Sequence, residues 1–278
     1  MIFLICNLCN LPVICGKKSP CYPFNFEFRD AWSTFRQMKI SIVIPAFNEE
    51  RLLGASLVEI KTAAHAFTQR GWEVELIVCD NNSTDRTADI ARAAGAIVVF
   101  EPVNQIARAR NCGALAATGD WLVFVDADSH PSAGLFDDIA EQILSGHCLA
   151  GGATIRIDTR DRAARAITWL WNCASRMRKL LAGSLIFCDA AAFRKIGGFS
   201  DQLFAGEEIE LTRRLHKHAK ENGKRIVILH RHPLVTSARK MHLYTKREHL
   251  RFVAKIIFSH GRALSNREAT HLWYDGRR

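Results

Sequence analysis

From Met38 onward the apolar and polar positions fall into two alternating periods. Short apolar runs predict strands over 40–45, 74–79, 96–100 and 121–125. Between them, apolar residues at helical spacing predict helices over about 50–69, 85–94, 105–117 and 133–145. Strands that are apolar on both faces and alternate with helices imply an α/β fold with a mostly parallel central sheet flanked by helices. After residue 148 the alternation loosens. A strand at 153–157, a basic Trp-bearing helix over 161–181, a short strand at 185–188 and a helix over 207–220 are expected there. Residues 244–262 read as a basic helix with Leu250, Val253, Ile256 and Ile257 on one side.

Residues 1–37 have a different texture, rich in Cys, Pro, Asn and Phe with no steady period. They read as a poorly ordered arm or as an upstream extension ahead of Met38, a natural initiator. The chain then divides into that extension and one domain over 38–278. The domain comprises a half over 38–130, a second half over 131–240 and a basic amphipathic helix within 241–278.

Three predicted strands run out into polar residues: PAFNE (45–49), DNNSTD (80–85) and DADS (126–129). In open α/β sheets ligands bind outside the carboxyl ends of the strands, so these clusters should line one crevice. Asp126 and Asp128 are two residues apart at a strand exit and so point the same way. Such a pair needs a proton, water or a cation to offset it, and a divalent metal held by carboxylates commonly also holds a phosphate. The chain contains no GxG, which excludes the dinucleotide fingerprint and the P-loop. A diphosphate here would need a metal or basic side chains instead.

Asp80 leaves its strand where a carboxylate can accept from a base N–H. Ser83 or Thr84 can cap the helix that follows, and Asp85 suits its first turn. Arg108, Arg110 and Asn111 open a helix, either as a solvated face or as phosphate contacts. Glu207 and Glu208 are either catalytic acids or favourable charge at a helix start, the latter worth about 0.3–1 kcal/mol.

Composition narrows the class. With 48% hydrophobic and 24% charged residues among 278, the chain is an ordinary globular protein. No run reaches the roughly 18–20 apolar residues that a membrane span needs. Met1 to Cys15 lacks the basic start of a signal peptide. Cys6 and Cys9 have CxxC spacing, but no second CxxC completes a zinc site. The five cysteines beyond Cys21 are scattered singly, as expected of buried, reduced thiols in a cytoplasmic protein. Charge is uneven: 211–278 holds 17 Lys and Arg against 4 Asp and Glu, while 39–210 holds 17 against 22. The basic end suits phosphate ligands, an anionic membrane surface such as its inner face, or nucleic acid, and reads equally as a solvated basic face.

The segments SIVIPAFNEE (41–50), CDNNSTDRT (79–87), ARARNCGALAATGDWLVFVDAD (107–128), FRKIGGFSD (193–201) and GEEIELTRRL (206–215) resemble family 2 glycosyltransferases, in that family's order. The resemblance implies a GT-A fold, the nucleotide-diphospho-sugar transferase fold, with a donor half and an acceptor half. It implies Mg²⁺ or Mn²⁺ as cofactor, and transfer of a sugar from a nucleotide-sugar, expected to be UDP-linked, to an acceptor hydroxyl with inversion. The acceptor could be a glycan, a lipid-linked molecule or a small molecule; nucleic acid is not expected.

By the same resemblance, Pro45, Ala46, Phe47, Glu49 and Asp80 surround the nucleoside. Asp126 and Ala127 sit near ribose and metal, and Asp128 is the main metal ligand. Arg108 and Asn111 are matched to the family's ARN-x-G pattern. Glu207 and Glu208 match its acidic catalytic pair, with Glu208 as general base in place of the usual Asp. A histidine late in the chain is a further metal ligand in some relatives, which makes His230 and His232 candidates. Arg239 and Lys240 are similar to basic residues that close over the diphosphate. Two other readings remain: a sugar-phosphate nucleotidyltransferase, which should carry a glycine-rich loop where PAFN stands, and a non-catalytic nucleotide- or lipid-surface-binding module, which leaves Glu207 and Glu208 without a role.

Overall fold

The computed structural model describes residues 37–237; the extension over 1–36, Arg239, Lys240 and the basic helix expected over 244–262 lie outside them. The first half alternates as its apolar pattern predicts: β1 (Lys39–Ala46), α1 (Leu53–Thr68), β2 (Glu73–Asp80), α2 (Thr87–Ala93), β3 (Ile97–Phe100), α3 (Ile106–Ala116) and β4 (Trp121–Val125). The second half adds β5 (Ser129–His130), α4 (Ala133–Leu144), β6 (Cys148–Asp158), α5 (Arg162–Arg178), β7 (Leu185–Asp189), α6 (Ala190–Lys195), α7 (Glu207–Glu221) and β8 (Arg225–Ser237).

One eight-stranded sheet runs through both predicted halves in the order β3-β2-β1-β4-β7-β6-β8-β5. β1, β2, β3 and β4 pair in parallel, as do β6 and β8. β7 runs against both β4 and β6, and β5 runs against β8. The sheet is therefore mostly parallel, and β7 brings its starting end, not its finishing end, to the edge where β1, β2 and β4 finish.

Strand alternation splits the core into two layers. On one face Ile40, Ile42, Ile44, Val123 and Val125 pack with Leu57, Ile60 and Phe67 of α1 and Phe136 and Ile139 of α4. On the other, Val43, Leu122 and Phe124 pack with Ala107 of α3, Phe193 and Phe199, and Leu211 and Leu215 of α7. Phe124, Phe193 and Phe199 form a ring cluster with centroids 5.2–5.6 Å apart. The α3 and α7 layer matters most for function, because both helices start at the ligand edge of the sheet.

β5 and α6 had no predicted counterpart, and other features also depart from expectation. β6 starts at Cys148, earlier than the predicted 153, because Gly151 and Gly152 hide its apolar pattern. A Cβ on Gly151 would lie 2.4 Å from the Phe187 ring, so the strand needs the gap that breaks the pattern. β8 continues through 229–233, the stretch that carries His230 and His232. Its register against β6 jumps from Ala153–Leu229 to Ile155–Leu234, so His230, Arg231, His232 and Pro233 bulge out of the ladder and are exposed. Of the five scattered cysteines, Cys79, Cys148 and Cys188 are buried, whereas Cys112 and Cys173 are partly exposed; all five are free thiols.

Away from the ligand edge, Glu75 ties the starts of β1 and β2 to the α3–β4 loop. Its carboxylate accepts from Ser41 Oγ at 2.5 Å, Thr118 N at 2.7 Å and Lys39 Nζ at 2.9 Å. Burial alone would raise its pKa, but the hydrogen bonds from Ser41, Lys39 and Thr118 outweigh it and hold the group at about 2. A carboxylate lowered in the folded state stabilises above its unfolded pKa, and that stability is lost as pH falls. Glu75→Gln should lower the melting temperature at pH 7 and flatten the acid limb between pH 4.5 and about 2. Melting curves across that range check both effects.

Candidate functional site

The edge formed by the ends of β1 and β2 is stitched shut by its own loops. Ala46 pairs in register with Asp80, and Asn81 N–H donates to Ala46 O at 2.8 Å. Asn48 and Asn82 hold φ of 51° and 63°, a conformation asparagine tolerates better than most residues. Between the two loops Asn48 N–H donates to Ser83 Oγ at 3.0 Å, Glu49 N–H to Thr87 Oγ1 at 2.8 Å, Glu50 N–H to Asp85 Oδ2 at 3.1 Å and Thr84 N–H to Asn48 Oδ1 at 2.8 Å. Ser83 and Thr84 thus brace the β1–α1 turn and do not cap α2. Asp85 serves the helix start instead, accepting from Thr87 N–H at 2.9 Å. Pro45, Ala46, Glu49 and Asp80 are buried here and Phe47 is partly exposed, so the expected nucleoside group does share one edge.

Beside it lies a cavity of about 230 Å³ walled by Asp126, Asp128, Glu207 and Glu208, together with Arg110 and Gly183. Four acids from two distant parts of the sequence thus meet in one space. The Asp126–Asp128 turn is pinned by its backbone: Asp126 N–H donates to Ser184 O at 3.2 Å, and Ser237 N–H to Asp128 O at 3.2 Å. β7 supplies the first partner because it runs antiparallel, and β8 supplies the second with its last residue.

Arg110 holds the acids together. It is 1% exposed. Its Nη1 donates to Glu207 Oε1 at 2.8 Å; its Nη2 donates to Asp126 Oδ1 at 3.1 Å and to Gly183 O at 3.0 Å. Its guanidinium carbon lies 5.2 Å from the Phe199 ring centroid. Burial works against the charge, but Asp126, Glu207 and Glu208 more than offset it and raise the Arg110 pKa. Gly183 leaves room for this approach: a Cβ there would lie 2.7 Å from Glu208 Oε1 and 2.9 Å from Arg110 Nη2, so those groups would have to shift.

Glu207 and Glu208 open α7 behind Gly206, whose φ of 75° suits glycine at that turn. Glu207 is buried; burial and then Glu208 push its carboxyl up to about 8, against the pull of Arg110. Glu208 Oε2 is buried without a hydrogen-bond partner. Glu208 also lines the cavity.

Sequence reasoning placed other residues less well. Arg108 pairs with Glu101 at 3.1 Å, outside the cavity. Asn111 spends both ends of its amide on the Phe199 backbone, at 2.8 and 2.9 Å. The arginine that fits ARN-x-G is Arg110, since Ala109 precedes it and Gly113 closes the pattern. Reading that register correctly would have found the buried cation. His230 and His232 sit on the β8 bulge, roughly 10 Å of strand back from Ser237. His232 Nδ1 lies 3.0 Å from Asp138 Oδ2 on α4. Neither histidine lines the cavity that Asp126 and Asp128 share. Asp126 and Asp128 offer oxygen donors alone, which suit Mg²⁺ or Mn²⁺. Among the described residues no three His, Cys, Asp or Glu side chains are grouped to hold a metal, so further positions would fall to ligand oxygens and water.

The family model for Glycosyl transferase family 2 matches residues 41–199. An uncharacterized glycosyltransferase of Mycobacterium bovis is 33% identical over 132 residues, which cover 48% of this chain and 53% of the relative. The chain thus spans about half the length of the curated relatives it matches. Among solved structures, a mannosyltransferase from Pyrobaculum calidifontis in complex with GDP-Man and Mn²⁺ superposes with a TM-score of 0.60 at 19% identity, covering 85% of this chain and 65% of that one. Glucosyl-3-phosphoglycerate synthase from Mycobacterium tuberculosis, in complex with Mn²⁺, uridine-diphosphate-glucose and phosphoglyceric acid, gives 0.55 at 18% identity, covering 82% and 80%. At these identities the likeness is one of fold, and the fold is GT-A.

Arg110→Met should destabilise the protein by about 3–5 kcal/mol, because it leaves buried acids without their cation; urea unfolding measures this. The raised Glu207 pKa has the opposite sign to that of Glu75. Its contribution is full below pH 4.5 and lost as pH rises through about 8. In chelator, stability should fall across that window, and Glu207→Gln should flatten the fall.

Proposed function

The chain belongs to glycosyl transferase family 2, and from that premise we propose that it moves a sugar from a nucleotide-sugar donor to an acceptor hydroxyl, with inversion and with a divalent metal. The observation that carries this reading is the meeting of Asp126 and Asp128 with Glu207 and Glu208 around one cavity, where Glu208 Oε2 has no partner. A nucleoside would lie along Pro45, Ala46, Phe47, Glu49 and Asp80, next to that cavity. UDP is the expected nucleotide; the two solved relatives named above hold UDP-glucose and GDP-Man.

The roles follow from position. Asp128 and Asp126 would hold Mg²⁺ or Mn²⁺, which when bound offsets negative charge on a diphosphate leaving group. The Glu208 carboxylate would accept the acceptor hydroxyl's proton as that oxygen attacks the anomeric carbon and the bond to the diphosphate breaks. Glu207, held by Arg110, fixes the start of α7 and hence the aim of Glu208. Arg110 also fixes Asp126, so donor and base are set relative to one another by a single guanidinium. Arg239 and Lys240 follow β8 in the sequence and remain candidates for the diphosphate.

The test is a panel of nucleotide-sugars with Mn²⁺, scored first by thermal stabilisation and then by release of nucleoside diphosphate. One donor should raise the melting temperature only with metal, by the ordinary mass-action law. Asp128→Ala should abolish that shift. Glu208→Gln should keep it while turnover falls by about 10²–10⁴-fold. Full turnover in both variants would refute the assignment.

A further inference from the structure

α5 presents its apolar side outward. Its inward stripe is small and polar: Ala164, Thr168 and Ser175 are buried, and Asn172 clamps Ile155 of β6 through bonds of 3.0 Å to the backbone N–H and 2.8 Å to the carbonyl. Ile167, Trp169, Leu170 and Met177 are each at least 60% exposed, four of the eleven large apolar side chains exposed among the described residues. At about 100° per residue, Ile167, Leu170 and Met177 share one outward arc with Ala163 and Ala166. Arg162, Arg165 and Arg176 flank that arc beside Trp169, and Arg178 stands on its other side. No acid occurs from 162 to 180.

We propose that α5 docks the protein onto an anionic lipid surface, its apolar arc in the acyl boundary and its arginines among the headgroups. Asp161 caps the helix and Asp158 lines the pocket beside Arg165 and Trp169, but the arginines of α5 outnumber them, and apolar arc, aromatic flank and basic collar together suit a helix lying in the plane of a bilayer. No described helix is long and apolar enough to cross a membrane, so α5 would lie on the surface and not span it. Charge argues against the other occupants. A second copy stacked through this face would bring two arginine collars together. The segment 238–278 carries ten Lys and Arg against three acids, so it too would be repelled. An anionic membrane is the complementary partner.

The full chain is mixed with vesicles of phosphatidylcholine alone or of equimolar phosphatidylcholine and phosphatidylglycerol, and the bound fraction is read by flotation. Binding is expected to the anionic vesicles only. Ile167→Ser/Leu170→Ser/Met177→Ser and Arg162→Gln/Arg176→Gln/Arg178→Gln should each weaken it roughly tenfold or more, with circular dichroism and melting temperature unchanged. A lipid-induced blue shift in tryptophan emission should be lost in Trp169→Phe. No vesicle binding, binding undiminished in the α5 variants, or a dimer that these variants dissociate without any lipid binding would each overturn the proposal. None of these readouts depends on sugar transfer.

Discussion

A buried positive charge in a sheet protein must be surrounded, and Arg110 is surrounded by the parts of this molecule that matter most. Its guanidinium reaches Asp126 at the end of β4, Glu207 at the start of α7 and Gly183 just ahead of β7, with the Phe199 ring packed against it. These groups come from segments up to 97 residues apart. An isolated arginine in that position would be prohibitive, and the acids without it would repel one another. The arrangement is stable only as a whole, which is why the donor-side acids and the acids of α7 cannot drift apart independently.

α3 carries the rest of this organisation. Gln105 at its start donates to Asp201 O and Leu203 O at 2.7 and 2.9 Å, and Asn111 holds Phe199 from both sides. One helix thereby positions the whole loop from 199 to 206 that delivers Glu207 and Glu208. The antiparallel β7 adds the second constraint by bringing Ser184 to the ligand edge, where its carbonyl holds Asp126. Local sequence supplies the acids; long-range contacts supply their aim.

That division explains what could be read in advance. β1, β2, β3 and β4 and the helices between them were legible because each repeats its apolar period cleanly. Asp126 and Asp128 were legible as paired acids at a strand exit and Asp80 as an acid at another, whereas Glu207 and Glu208 suit any helix start and stood out only through the family resemblance. Arg110 was overlooked beside Arg108, since two arginines two residues apart look alike until burial separates them. His230 and His232 misled because nothing local announces the bulge that carries them away from Asp128. Asn111 was read as a ligand contact, but its amide is satisfied by a backbone 88 residues away, a pairing no spacing reveals.

The loops after β1 and β2 have a further meaning. Their cross-bonds through Asn48, Ser83, Thr84, Asp85 and Thr87 tie one loop to the other. Ordering one loop therefore orders the other, and the conformational entropy of shaping that edge is shared between them. A substitution in either loop is felt in both, so the contour of that edge is a property of the pair and of neither loop alone.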